Sequence, residues 1–434
     1  MPVKGGNVAA NTNLAEQVRA RRASLALVQE ELAELSGTSV RFIRSLEQGK
    51  ATVRLDKVQA VLEVLGLELT ARLRVSAVSA RRNPRSYLHE LTSVREAHVF
   101  KGDRLAAVLR RLSGGVEFRY LPEYLTDEGP SVATTLPMSD EPTLTSAGAD
   151  PPYFADRDFD QLSFGDLLDA AGVIDPVALA GVQDKMSTRV LSLPVQYAGR
   201  RYILKLDTTE TPHIVANEDY FIRLAAGAHF PVVSASVVHD STDRPGLLVQ
   251  RFDRETSPEG GTVSLAVEDG AQVLGIYPAD KYAVSAETVV GRLSGLCASR
   301  AVALRDLYRQ LVFAWLTGNG DVHAKNLSIL KSEGEWRVSP AYDLPSTLPY
   351  RDTTMALSML DRRSGFSRRK LLEFGAAIGL PQKTASRVLD EVLIATEPVL
   401  DWPASSPYRP DICRDVLRSL RQRRQVVMAS AGPA

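Results

Sequence analysis

The 434-residue sequence predicts a multidomain chain: a small all-α unit, then a small β-rich unit, then a larger α+β body ending in a mostly helical lobe. Three observations predict this. Residues 1–75 hold short amphipathic helical stretches interrupted by a glycine turn. Residues 96–120 alternate apolar and polar, as strands do. From residue 181 strand and helix patterns alternate, and amphipathic stretches follow at 367–377, 382–396 and 412–427. These shifts place the domains at 1–75, 76–152 and 153–434.

Composition bounds the function. Hydrophobic residues make up 44% and charged residues 24%, which excludes a disordered chain. No apolar run approaches membrane-spanning length, and the N-terminus lacks a charged-then-apolar signal pattern. The expectation is a cytoplasmic protein with no membrane contact. Cys297 and Cys413 are too far apart for metal-ligand spacing and imply no disulfide framework. The formal net charge is zero but unevenly spread. Residues 1–120 carry 20 Lys/Arg against 12 Asp/Glu, and residues 121–240 carry 7 against 18. A basic front end suits a polyanion, packs against the acidic middle, or does both.

In the first unit, residues 14–22 read as one helix and Gln29–Leu35 as the next. Gly37 can take the left-handed conformation that ends a helix. Thr38 or Ser39 caps a third helix over 40–48, and 58–65 is a fourth. Leu32, Ala33, Ile43 and Leu46 should form the small core. Gln29, the LAELSGTS turn, Ile43 and the LEQGK stretch ending at Lys50 resemble the lambda-repressor-like helix-turn-helix family. The resemblance implies a third helix in the major groove of double-stranded operator DNA. Ser39, Val40, Arg41, Arg44 and Ser45 would face the DNA, with Gln29 and Lys50 on its backbone. Arg41 would read a guanine through its bidentate fork. Residues 67–75 alternate like a lone strand. Such a strand pairs with a second copy in a homodimer, as in HipB-like antitoxins, or joins the next domain.

Residues 76–84 read as a basic linker. A hairpin with a Gly102-Asp103 turn and an alternating stretch at 115–120 follow, then a proline-rich segment of linker or extended loop.

The body is organised around residues 307–329. An apolar helix there is broken by Gly318 and Gly320, and Asp321, His323, Lys325 and Asn326 come straight after. Asp321 and Asn326 stand five apart, the spacing of the Asp and Asn in a kinase catalytic loop. Asp343 is placed to be a second metal-binding carboxylate. Upstream, a single-glycine loop at 180–187 leads into a strand, Lys205 sits inside an apolar strand, and Glu218 starts a helix from 217 to 226. A strand over 246–252 ends in Gln250, Arg251 and Phe252. Strand lysine, helix glutamate, hinge, catalytic loop and metal aspartate thus occur in kinase order.

AGVQDK, YILK, NEDYFIRLA, QRFDR, GNGDVHAKN and PAYD, in this order, resemble the HipA-type serine/threonine kinase toxins over residues 181–350. The resemblance implies an α+β protein-kinase-like fold, a small β-rich N-terminal subdomain and a mostly helical C-terminal lobe. It implies ATP and magnesium as cofactors. Asp321 would be the catalytic acid/base, and Asn326 and Asp343 the magnesium ligands. Gly181, Gln183, Asp184 and Lys185 would form the phosphate loop, and Lys205 would bind the α/β-phosphates. Gln250, Arg251 and Phe252 would line the adenine side, and His323 would help hold the nucleotide. The implied protein substrate is an aminoacyl-tRNA synthetase. Two departures stand out. Ala178 occupies the place of the family's autophosphorylated serine, and Gln250 that of a hinge glutamate. The basic run at 421–424 reads as a solvated helix face. The competing class is a DNA-binding transcription regulator whose kinase-like domain senses nucleotide.

Overall fold

The computed structural model describes residues 8–50, 52–69, 96–101, 104–112, 115–126, 130–133, 136–146, 191–197, 200–228, 231–239, 245–256 and 262–429. The first unit contains α1 (Val8–Ser24), α2 (Gln29–Leu35), α3 (Val40–Glu47) and α4 (Leu55–Leu65). α1 and α4 each begin earlier than apolar periodicity suggests; in α4 the added turn starts with Leu55 and Asp56, both exposed. Ser39 Oγ accepts the Phe42 amide at 3.2 Å, so Ser39 rather than Thr38 is the cap. Val18, Leu32, Ala33, Ile43, Leu46, Val61, Leu62 and Leu65 make the core, with Val302 of the kinase-like body packed into it. The possible dimer strand lies mostly outside the described residues, and Leu67–Leu69 have no strand pairing.

The small β-rich unit is an antiparallel sheet in the order β1 (Glu96–Lys101), β2 (Arg104–Leu112), β3 (Gly115–Tyr120) and β4 (Thr143–Ser146). The helix α5 (Pro122–Thr126) starts on a proline whose missing N–H costs nothing at that position. Part of the proline-rich segment is therefore ordered. Val132 donates its amide to the Tyr120 hydroxyl (2.7 Å), which donates to the Leu136 carbonyl (2.8 Å), and β4 closes the sheet edge.

The body has two lobes. In the first, β5 (Leu191–Tyr197), β6 (Arg200–Leu206), β8 (Pro245–Gln250) and β7 (Ala235–His239) pair in that spatial order, with α6 (Ile214–Ala226) as its helix. The hairpin β9 (Arg254–Thr256) and β10 (Thr262–Ser264) and the strand β11 (Ala266–Asp269) lead on to α7 (Gly270–Leu274), α8 (Ala286–Leu296) and α9 (Arg300–Thr317). β11 pairs with β12 (Ser328–Ser332), and β12 with β13 (Glu335–Val338). α10 (Arg368–Ala377), α11 (Gln382–Ala395), α12 (Trp402–Ser405) and α13 (Pro410–Ala429) complete the helical lobe. α9 is buried on nearly every face, so it shows little amphipathic periodicity.

The basic run in α13 is not a solvated face. Arg423 and Arg424 are buried. Arg423 donates to the Trp315 and Thr353 carbonyls at 2.7 Å each and stacks 4.0 Å from the Trp315 ring centroid. Arg424 donates to Thr396 Oγ1 and the Leu393 carbonyl. Burial drops Arg423 to about 10. Sequence pattern shows a charge but not the carbonyls waiting for it.

The helix-turn-helix unit docks on the body through α2 and α4. Glu31 meets Arg305 at 3.2 Å and Arg387 at 3.1 Å, and Glu34 meets Arg387 at 3.0 Å and Lys383 at 3.3 Å. Ser299 Oγ donates to the Val64 carbonyl. Gly66, at φ +65°, lets the chains touch: a Cβ there would lie 2.2 Å from the Ala298 carbonyl oxygen. The basic body helices meet acidic residues of the basic front end, so local charge rather than domain charge governs this contact.

Candidate functional site

The predicted catalytic-loop residues are placed by a chain reversal after α9. Gly318 ends the helix at φ +77°. Gly320 is needed for close approach, since a Cβ would lie 2.4 Å from the Thr354 carbonyl oxygen. Its amide donates to Thr347 Oγ1 at 2.9 Å. Asn319 ties the loop together: its Nδ2 donates to the Asp343 carbonyl (3.0 Å), and its Oδ1 accepts the Asp321 amide (3.1 Å). The His323 amide donates to Asn326 Oδ1 at 3.2 Å.

Four predicted residues converge. Lys205 Nζ donates to Glu218 Oε1 and Oε2 at 2.6 and 2.8 Å, and to Asp343 Oδ1 at 3.0 Å. Asn326 Nδ2 donates to Asp343 Oδ2 at 2.6 Å. Burial alone would lower the Lys205 pKa, but Asp343 and Glu218 outweigh it and raise the ammonium above its usual range. Lys205 is therefore a fixed positive charge beside Asp343. The predicted Lys205–Glu218 pairing forms, although α6 starts at Ile214, so Glu218 lies in its second turn. Asp343 adopts φ +60°, a left-handed conformation that costs a non-glycine residue about 1–3 kcal/mol. Its carbonyl and both carboxylate oxygens are all bonded, which holds it there.

A second buried lysine lies beneath the loop. Lys325 Nζ is 3.6 Å from Asp269 Oδ2. Burial pushes Lys325 down to about 7 and Asp269 up to about 7. Asp269 caps α7 through the Gln272 amide at 2.8 Å. The Gly270 amide donates to the Leu327 carbonyl at 2.9 Å, and a Cβ on Gly270 would lie 2.6 Å from the Ala324 carbonyl oxygen. α7 thus buttresses the loop from below.

On the hinge side, Phe252 stacks on Tyr342, the neighbour of Asp343, with centroids 5.6 Å apart. Gln250 is half-buried, and its amide donates to the Ser234 carbonyl at 2.8 Å. Arg251 is turned inward, forked onto Asp253 at 3.0 and 2.8 Å. His323 is buried, its ring 5.2 Å from the Tyr282 ring. Gly181, Gln183, Asp184, Lys185 and Ala178 lie outside the described residues. Asn319, Tyr282 and Asp269 carry no reading from sequence. Asn319 had one available signal, its place two residues before Asp321.

Asp343 and Asn326 offer the hard oxygen donors that magnesium takes, and the Lys205 ammonium beside them matches a polyphosphate. Among the described residues no three His, Cys, Asp or Glu side chains form a metal cluster of their own. A two-residue donor set suits an ion that also binds phosphate oxygens.

In the helix-turn-helix unit Ser39, Arg41, Arg44 and Lys50 are exposed, while Val40 and Ser45 are half-buried on the same helix. Gln29 Nε2 donates to Glu47 at 2.7 Å and its Oε1 accepts from Arg44 at 3.2 Å, so it braces the reading helix. Arg22 donates to Glu47 Oε1 at 2.6 Å from the other side.

Fold and site together define a protein-kinase-like chain carrying an N-terminal helix-turn-helix domain. The chain belongs to the HipA-like C-terminal domain family, whose model matches residues 177–400, and a helix-turn-helix model matches 18–71. A Sinorhizobium fredii protein named "Putative kinase Y4mE" is 31% identical over 263 residues, covering 58% of this chain and 60% of that protein. The serine/threonine-protein kinase toxin HipA of Shewanella oneidensis is 28% identical over 237 residues, covering 48% of this chain and 52% of that one. The chain thus spans little more than half the length of these curated relatives. A chain of the solved Shewanella oneidensis complex of HipA, HipB and operator DNA shares the fold. Its TM-score is 0.56 at 19% identity, covering 77% of this chain and 97% of that one. No described helix is long and apolar enough to cross a membrane.

Proposed function

We propose that this chain is a serine/threonine protein kinase of the HipA toxin type, transferring the γ-phosphoryl group of ATP, and that its N-terminal domain reads operator DNA. The observation that carries this is the bonded set Lys205–Glu218–Asp343–Asn326 alongside Asp321. In this reading Lys205, oriented by Glu218, holds the phosphates. Asp343 and Asn326 hold magnesium, which when bound spreads charge off the phosphate oxygens. Asp321 takes the proton of the acceptor hydroxyl. Phe252 and the Gln250–Arg251 backbone flank the base, His323 supports the nucleotide, and residues 181–185 cover its phosphates. In this reading the ion would replace the Asn326 Nδ2–Asp343 Oδ2 hydrogen bond, and catalysis would rest on positioning and charge neutralisation.

On the DNA side, Arg41 and Arg44 are exposed on a helix braced by Gln29 and Glu47, which supports contact with operator DNA; in this reading a homodimer meets a two-fold operator. The HipA toxin relative and the HipA–HipB–operator DNA structure support a toxin–antitoxin setting; in this reading the acceptor protein is an aminoacyl-tRNA synthetase. The test is label transfer from γ-labelled ATP, with magnesium, into the proteins of a bacterial extract. Transfer by wild type and not by Asp321→Ala supports the kinase. Tight ATP binding without transfer by either overturns it.

A further inference from the structure

Tyr282 lies on a strap packed against the 318–326 loop. The strap begins as a short 3₁₀ turn, Pro278–Asp280, and ends in Lys281 and Tyr282. It is tied down on two sides. The Ala324 amide in the catalytic loop donates to the Lys281 carbonyl at 3.3 Å. Arg363 Nη2 donates to the Tyr282 carbonyl at 2.8 Å. With the backbone so fixed, the Tyr282 side chain reaches back. Its hydroxyl donates to Asp321 Oδ1 at 3.1 Å. Its ring meets the edge of His323 with centroids 5.2 Å apart, and Lys281 Nζ lies 5.3 Å from the ring centroid.

Two features separate this tyrosine from a packing residue. It is 42% exposed, unlike the buried loop beneath it, so burial does not explain its position. Its polar atom also falls on the carboxylate that the kinase reading makes the proton acceptor. A donor on Oδ1 restrains the carboxylate's rotation about its Cβ–Cγ bond. An unrestrained carboxylate samples both orientations, and proton transfer needs one of them.

We infer that Tyr282 is a positioning residue for Asp321: its hydrogen bond to Oδ1 holds the carboxylate in the orientation that accepts the proton of the acceptor hydroxyl. This rests on the kinase reading above. It assigns Tyr282 no contact with ATP, so nucleotide affinity should not depend on its hydroxyl.

The experiment compares full-length wild type, Tyr282→Phe, Asp321→Asn and the double variant. The probe is γ-labelled ATP with magnesium, and the acceptors are water and the proteins of a bacterial extract. Tyr282→Phe should lower the rate at saturating ATP by roughly 10- to 100-fold, the worth of a hydrogen bond to a charged group. The ATP concentration for half-maximal rate and the melting temperature should stay as in wild type. In the Asp321→Asn background the same change should add little, because the hydroxyl acts through that carboxylate. Unchanged or raised turnover in Tyr282→Phe overturns the inference. So does a loss that multiplies independently with Asp321→Asn, or one confined to ATP affinity. An inactive wild type overturns the kinase reading and this inference with it. An active wild type silenced by Asp321→Asn leaves the kinase reading standing whatever Tyr282→Phe does.

Discussion

The proposed catalytic loop and the proposed DNA-reading helix are both built from polar residues on a helical scaffold, but they hold those residues in opposite ways. In α3, Ser39, Arg41 and Arg44 point into solvent from one short helix, and their spacing is the helix's own. Around the loop, Lys205 and Asn326 are buried and Asp343 is half-buried, and the Lys205–Asp343 bond joins positions 138 apart. A DNA-reading surface needs exposure and charge, and water stabilises it until a phosphate arrives. A phosphoryl-transfer site needs charges held out of water, where each must be balanced by another. The first can be made locally, whereas the second requires a fold.

Changes that act on one region and spare the other would sharpen that contrast. The largest effect is expected from Asp321→Ala, which should slow transfer about 10²–10⁴-fold, the usual worth of a general base. Operator affinity, read by gel shift, should not move. A smaller kinetic loss would mean that Asp321 does not take the proton.

Next comes Lys205→Met, which leaves Glu218 and Asp343 facing each other without their cation. Breaking such a buried pair costs about 3–5 kcal/mol, so denaturant unfolding should show a marked loss along with abolished transfer. Stability equal to wild type would show that the two carboxylates find other compensation.

For the exposed region, Arg41→Ala should weaken operator binding by about 1–3 kcal/mol and relax discrimination at one base pair. Phosphoryl transfer should be unaffected. Binding that ignores both Arg41→Ala and salt would break the comparison, since each neutralised phosphate contributes about −0.9 to the log–log salt slope.

Gly66→Ala tests the junction between the regions. A methyl group there meets the Ala298 carbonyl and forces an unfavourable positive φ. A loss of about 1–3 kcal/mol is expected by analogy with other strained positions, seen as earlier proteolysis of the N-terminal unit. The smallest effect concerns pH. Burial would raise Glu47, but Arg22 and Gln29 hold it below the usual carboxylate range. Its contribution is therefore present above the unfolded glutamate pKa and is lost as pH falls through the lower folded value. Glu47→Gln should flatten the acid side of the melting curve of the helix-turn-helix unit. An unchanged acid limb would show that other carboxylates dominate there.

Much of this architecture was legible in the sequence. α2, the start of α3, the β-rich unit, the catalytic-loop break and the three long C-terminal helices follow from caps, periodicity and glycine, all of which act within a few residues. Kinase order along the chain also anticipated the Lys205–Glu218 pair and the nearness of Asn326 to Asp343. Burial of Arg423 and Arg424 was not legible, because a basic run looks the same whether it faces water or the carbonyls of Trp315 and Thr353. The fork of the Arg251 guanidinium onto Asp253 was likewise not legible, although Arg251 itself was singled out.

The sequence by itself determined the local devices: a cap at Thr38 or Ser39, the helix break at Gly318, the arginines of α3 and the Asp321–Asn326 spacing. These depend on backbone preferences and on neighbours within one turn of helix. Only the tertiary structure decided the rest. It set the left-handed backbone of Asp343, the hydroxyl of Tyr282 on Asp321, the seat of Lys325 over Asp269 and the docking of α2 against Arg305 and Arg387. Each of these joins groups far apart in sequence. Their energies come from burial and charge balance, which have no value until the chain has closed around them.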